Sequence, residues 1–75
     1  MGVTIKAIND ALAAVGEDVR LTKGNGYFYF DSGEATEWLD KTVHTTSLGS
    51  LTLDQWIEEF HRLKKLNREL LSGGA

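Results

Sequence analysis

Lys23-Gly24-Asn25-Gly26-Tyr27-Phe28-Tyr29-Phe30 is the stretch whose reading decides the fold. Asn-Gly between two β-rich runs is the strongest short-range hairpin signal, because a type I′ turn requires positive φ at both central residues. The aromatics that follow have high strand propensity and carry much of the burial the chain has to offer. With Asn25-Gly26 as a two-residue loop, Lys23 faces Phe28, Thr22 faces Tyr29 and Leu21 faces Phe30. Cross-strand partners share a face. Val19, Leu21, Phe28 and Phe30 therefore line the core face, and Arg20, Thr22, Tyr27 and Tyr29 the other. Turn chemistry and binary pattern agree on this register, and a slip of one residue would invert both faces. The first strand of the hairpin spans residues 19–23.

Upstream, residues 4–15 read as an amphipathic helix. Ile5, Ile8, Leu12 and Val15 recur at helical spacing, and Ala7, Ala11, Ala13 and Ala14 favour the helix. Thr4 is the expected N-cap and Gly16 the expected C′ residue, where positive φ carries no Cβ penalty. Downstream, residues 31–40 read as a loop punctuated by Ser32-Gly33, with Trp38 and Leu39 pinning it to the edge of the core. Residues 42–47 are β-branched and read as a third strand, Val43 and Thr45 facing in, His44 and Thr46 facing out. Leu48-Gly49-Ser50 is a turn. Thr52-Leu53-Asp54-Gln55 matches a capping box, which opens a helix with Leu53, Trp56, Ile57, Phe60, Leu63 and Leu70 as its apolar stripe. Residues 72–75 are expected to fray.

The expected fold is a single α+β domain over residues 1–75, in the order α-β-β-β-α. It is a three-stranded antiparallel meander with two helices packed on one face. The other face of the sheet is left open to water or to a partner.

Length and composition bound the rest. A chain of 75 residues buries only about 60% of the surface its unfolded form exposes. It has no Cys, so neither a disulfide nor a zinc ribbon supports it. No apolar run is long enough to cross a membrane, and the N-terminus lacks a signal-peptide core. The expectation is a cytoplasmic protein without membrane contact, monomeric or weakly dimeric. Asp31, Glu34, Glu37 and Asp40 share one window without Lys or Arg, whereas Arg62, Lys64, Lys65 and Arg68 cluster near the C-terminus. These two regions can pair within one molecule or face different partners; the plainer reading is two solvated surfaces.

Motifs for chemistry are sparse. Residues 23–30 resemble the RNA-binding RNP1 pattern at Lys23, Gly24, Gly26 and Phe30, but Asn25 stands where an aromatic is wanted and the flanking βαββαβ order is missing. Glu58 and His61 have a Glu-x-x-His spacing, without the further carboxylates and second motif of a di-iron site. A solvated helix face explains them better, and no metal or cofactor is expected. There is no Cys nucleophile, no Gly-x-Ser-x-Gly elbow and no P-loop or dinucleotide fingerprint. The chain is not expected to be an enzyme. Cations near the end of a helix already complement its dipole, so nucleic-acid binding by the C-terminal helix is the second reading.

Four features taken together carry a resemblance: Thr4-Ile5-Lys6-Ala7-Ile8-Asn9, Gly26-Tyr27-Phe28-Tyr29-Phe30, the lone Trp38, and Leu51-Thr52-Leu53-Asp54-Gln55-Trp56. They resemble a group of small, largely uncharacterised proteins encoded by tailed phages and prophages of proteobacteria, over most of residues 4–60. In that group the third strand carries aromatics where this chain has His44 and Thr46. The resemblance implies an accessory role exercised by binding a host or phage protein, such as inhibition of a host defence component. It carries over no catalytic residue. The candidate binding residues are Arg20, Tyr27, Tyr29 and His44 on the open face, with Glu34 and Glu37 in the acidic loop as a competing surface. Tyrosine suits an interface through its broad ring, polar tip and low rotamer entropy.

Overall fold

Thr4 starts the first helix, α1 (Ile5–Ala14), by accepting a hydrogen bond from the Ala7 N–H at 3.0 Å. The computed structural model describes residues 3–45 and 47–73. The helix ends in a Schellman motif. Gly16 takes φ +82°, its N–H donates to the Ala13 carbonyl, and the Glu17 N–H donates to the Leu12 carbonyl. Ile8 and Leu12 are fully buried and Ile5 packs against the core, but Val15 is 65% exposed. The expected stripe therefore stops one turn early, because the chain turns away at Val15 to enter the sheet.

The sheet has the order β1-β2-β3 and is antiparallel throughout. Strands β1 (Arg20–Lys23) and β2 (Phe28–Asp31) pair Lys23 with Phe28, Thr22 with Tyr29 and Leu21 with Phe30. This is the register that turn length and pattern predict. The turn itself differs from expectation. Gly26 has φ +82°, but Asn25 does not have positive φ, so the loop is not type I′ and has the φ pattern of type II. The Gly24 N–H donates to the Tyr27 carbonyl at 2.8 Å. The Tyr27 ring lies directly over Gly24, and a Cβ there would run into the ring.

The third strand is shorter than residues 42–47: β3 comprises Thr42–Val43 alone. Local bonds displace the ladder. The Thr45 N–H turns back to the Val43 carbonyl at 2.9 Å, and the Thr45 hydroxyl donates to the Ser47 carbonyl at 3.3 Å. Val43 is buried as expected and Thr45 half-buried. Thr46, expected on the outer face, lies outside the described residues, as do residues 74 and 75 of the expected frayed tail. Ser72 and Gly73 close the last helix through N–H bonds to Arg68 and Leu70 carbonyls.

That helix, α2 (Leu53–Leu71), begins with the full capping box: the Gln55 N–H donates to Thr52 Oγ1 at 3.1 Å and the Thr52 N–H to Gln55 Oε1 at 2.9 Å. Trp56, Phe60 and Leu63 are fully buried, with Ile57 and Leu66 packed beside them. Leu53 and Leu70, expected in the stripe, are substantially exposed. A 19-residue helix spans ~28 Å, against ~13 Å for a four-residue strand, so its ends overhang the sheet. Both helices cover one face, with α1 over β1 and touching α2. Phe30 meets Phe60 edge-on at 5.7 Å and Trp38 at 6.3 Å between ring centroids, and Phe28 meets Trp56 at 5.6 Å. Trp38 pins the 31–40 segment, but Leu39 does not; it is 70% exposed. Among the described residues, no helix is long and apolar enough to cross a membrane.

Candidate functional site

Strand alternation puts Arg20, Thr22, Tyr27 and Tyr29 on the sheet face opposite the helices. Tyr27 is 39% exposed, Arg20 is exposed, and Thr22 and Tyr29 are half-buried. The two tyrosine rings lie 6.0 Å apart between centroids, tilted by 40°. Thr42 pairs with Tyr29 and extends the same face, and Asp31 pairs with Arg20 at its far end. The ladder stops at Phe28 with Val43, one step short of bringing His44 opposite Tyr27. His44 is exposed and instead lines a groove of about 560 Å³ between β3 and α2, together with Thr42, Leu51, Gln55, Glu58 and Arg62. The open face thus gathers Arg20, Tyr27 and Tyr29, with His44 at its margin.

Glu34 and Glu37 lie elsewhere, on a short 3-10 helix (Gly33–Glu37) entered through two positive-φ residues, Ser32 just before it at φ +67° and Gly33, its first residue, at φ +52°. Gly33 fits because a Cβ would crowd the Asp18 backbone carbonyl carbon at 3.2 Å. The acidic loop and the basic helix do pair within the molecule. Arg68 donates twice to Glu34, at 3.0 and 3.2 Å, and Trp38 Nε1 donates to the same carboxylate at 3.3 Å. Lys64 lies 2.6 Å from Glu17 and 3.8 Å from Glu34, its ammonium also facing the Phe60 ring. The Arg68 hydrogen bonds hold the Glu34 carboxyl below the usual carboxylate range; partial burial opposes them, and Trp38 and the nearby cations add to them. Arg62 donates twice to Glu59, which is lowered for the same reason. Of the four cations on α2, Arg62, Lys64 and Arg68 are therefore matched by carboxylates, while Lys65 is exposed. Glu34 is committed to holding its loop on α2. Glu37 is exposed and makes no ion pair among the described residues.

Among the described residues, no three His, Asp or Glu side chains gather in a way that could hold a metal ion. Glu58 and His61 both sit on the solvent side of α2.

Two asparagines escaped the sequence reading. Asn67 is fully buried, yet all of its amide is satisfied: Oδ1 accepts from the Leu39 and Asp40 N–H groups, and Nδ2 donates to the Asp40 and Leu63 carbonyls. The signal was its position, four residues beyond Leu63 on the buried stripe of α2. Asn9 does for an edge strand what a further strand would do. Its Oδ1 accepts from the Leu21 N–H at 2.6 Å and its Nδ2 donates to the Leu21 carbonyl at 3.3 Å. The outer edge of β1 is thereby satisfied at Leu21 by α1.

The chain matches no protein-family model, no curated protein and no solved structure.

Proposed function

We propose that this chain is a small accessory protein that acts by binding another protein, and that it binds through the open sheet face centred on Tyr27 and Tyr29. The observation that carries this reading is the pair of tyrosines, their rings 6.0 Å apart, on the face that neither helix covers. Both helices are committed to the other face, so a partner surface is what remains to desolvate these rings. Tyrosine and arginine, with tryptophan, are the residue types enriched at binding hot spots. Arg20 supplies a cation at one end of the face, suited to a partner carboxylate. The pairing of three cations on α2 with carboxylates favours a protein partner over nucleic acid, because those charges are not free to neutralise phosphates.

The resemblance in the helix opening, the aromatic strand, Trp38 and the capping-box segment supplies the setting. The protein is an accessory factor of a phage or prophage, working in the host cytoplasm on a host or phage protein, a defence component being one class of target. This reading involves no catalysis and no cofactor.

The test is a comparison of two folded variants. A tagged protein first captures its partner from host lysate, and the affinity of the purified pair is then measured. Tyr27→Ser with Tyr29→Ser is set against Glu37→Lys, which reverses a loop charge without touching the Glu34 network. A truncated hot-spot tyrosine costs on the order of 2 kcal/mol, or ~30-fold in Kd. The tyrosine variant is expected to lose at least that much while Glu37→Lys binds normally. Full affinity in a folded tyrosine variant overturns the open-face reading. Loss in the loop variant alone moves the site to the acidic loop.

A further inference from the structure

We propose that Asn25 is a site of spontaneous and selective deamidation, converted through a cyclic imide to aspartate and isoaspartate while the other two asparagines, Asn9 and Asn67, are protected. The reaction needs only the chain and water. Hydroxide removes the proton from the Gly26 main-chain nitrogen, and that nitrogen attacks Asn25 Cγ. The bond from Cγ to the side-chain nitrogen breaks, ammonia leaves, and a five-membered imide remains. Water then opens the ring on either side. Cleavage between Cγ and the Gly26 nitrogen gives aspartate. Cleavage between the Asn25 carbonyl carbon and that nitrogen routes the main chain through the side chain and gives isoaspartate. Nothing is oxidised or reduced; one amide and one water become one carboxylate and ammonium.

The structure separates the three asparagines sharply. Asn25 and Gly26 are both exposed, and the Asn25 side chain makes no hydrogen bond among the described residues. The position a Gly26 Cβ would take has no atom within 4 Å beyond its chain neighbours, so the surroundings of Gly26 on that side are open. The turn is open on its inner side: the Gly24 N–H bonds to the Tyr27 carbonyl, but no return bond from the Tyr27 N–H to the Gly24 carbonyl closes it. The loop is thus free to reach the geometry of attack. Asn9 has both amide atoms bound to Leu21, and the N–H that follows it belongs to the ladder of α1. Asn67 is fully buried with four hydrogen bonds, and the N–H that follows it belongs to the ladder of α2. For either to react, a helix must unwind.

The product changes the tip of the hairpin. It adds one negative charge, taking the formal net charge from −3 to −4. As isoaspartate it also adds a backbone atom to a two-residue loop whose length fixes the strand register, beside the ring of Tyr27 on Gly24. The inference stands independently of the proposed function.

Trypsin places the three asparagines in separate peptides, residues 7–20, 24–41 and 66–68. Native protein incubated at mildly alkaline pH is digested and its peptides are resolved by mass spectrometry. The expected result is an amide-to-acid mass gain confined to residues 24–41, in two chromatographic forms, the larger accepted as isoaspartate by an isoaspartyl methyltransferase. Asn25→Gln, which would have to form a six-membered ring, abolishes the gain. Equal modification at Asn9 or Asn67 overturns the selectivity. An unmodified 24–41 peptide from the folded protein, when the urea-unfolded chain does react there, shows that the turn protects Asn25 and sinks the proposal.

Discussion

Asn67 grips the main chain of Asp40 from both sides: its Oδ1 accepts from the Asp40 N–H at 2.9 Å and its Nδ2 donates to the Asp40 carbonyl at 2.6 Å. One buried amide on the long helix thus fixes the entry to β3, across 27 residues of sequence. The amide gives the segment before β3 the hydrogen bonds that a neighbouring strand would give. Removing it leaves the N–H groups of Leu39 and Asp40 and the Asp40 carbonyl unpaired. Each such group costs roughly 1–3 kcal/mol when fully buried. These three are part-buried, on the exposed residues Leu39 and Asp40. Asn67→Ala is therefore expected to lose about 1–3 kcal/mol in all. Urea unfolding measures it. Asn67→Leu keeps the volume and extends the apolar stripe, yet is expected to remain destabilised. A neutral Leu variant would mean that water satisfies those backbone groups.

Glu34 makes acid stability measurable at a single residue. Its folded pKa is depressed, chiefly by the Arg68 hydrogen bonds. The ionised form is therefore favoured by folding. The stabilisation is fully present above the unfolded pKa and is lost as pH falls through the folded one. The melting temperature should decline on acidification through and below the usual carboxylate range. Glu34→Gln is expected to lower the neutral-pH plateau and flatten part of that decline. Glu59, lowered by Arg62, sustains the remainder. An unchanged acid slope in Glu34→Gln would show that the Arg68 pair is screened by solvent.

The capping box at α2 is built from exposed residues but joins two bonds at once. Thr52→Ala removes the acceptor for the Gln55 N–H and is expected to cost about 1 kcal/mol. Gln55→Ala removes the reciprocal bond to the Thr52 N–H at 2.9 Å and should cost less. Thermal melts of the two single variants and the double variant report the coupling. An unchanged melting temperature in Thr52→Ala would refute a stabilising box.

The parts of this fold that were legible are those encoded by local chemistry. Turn length and side-chain alternation gave the register of β1 against β2, and Thr4, Gly16 and Thr52 marked helix ends through caps that act within a few residues. What escaped was set by distant groups. The sequence could not show that Leu39 would be held by its backbone rather than its side chain, because the partner, Asn67, is 28 residues away. Leu53 and Leu70 fit the periodicity, but the small sheet is too short to cover them, and Val15 fits it but lies where the chain leaves α1. Asn25-Gly26 allowed type I′, but the turn adopted has positive φ at Gly26 alone. On the candidate surface, Arg20, Tyr27 and Tyr29 followed from alternation alone. The commitment of Glu34 to Arg68 and of His44 to the β3 groove depended on where α2 runs.

Gly24 offers the sharpest separation of fold from function. It does not have positive φ, so an alanine is compatible with its backbone. Such a substitution stabilises by about 0.4–1 kcal/mol through the unfolded state where the native structure accepts it. The added methyl, however, would meet three ring carbons of Tyr27, the farthest at 2.9 Å. A side-chain ring on an exposed turn can swing away, whereas buried Phe28 and Phe30 hold the register from the other face. Gly24→Ala is therefore expected to leave the melting temperature within a few degrees of the parent. It should displace Tyr27 from Tyr29, visible as changed ring chemical shifts for both tyrosines. If the open face is the binding surface, this folded variant loses affinity for the captured partner along with the Tyr27 and Tyr29 serine variant. If its rings move and its affinity does not, the arrangement of the tyrosines is irrelevant to binding.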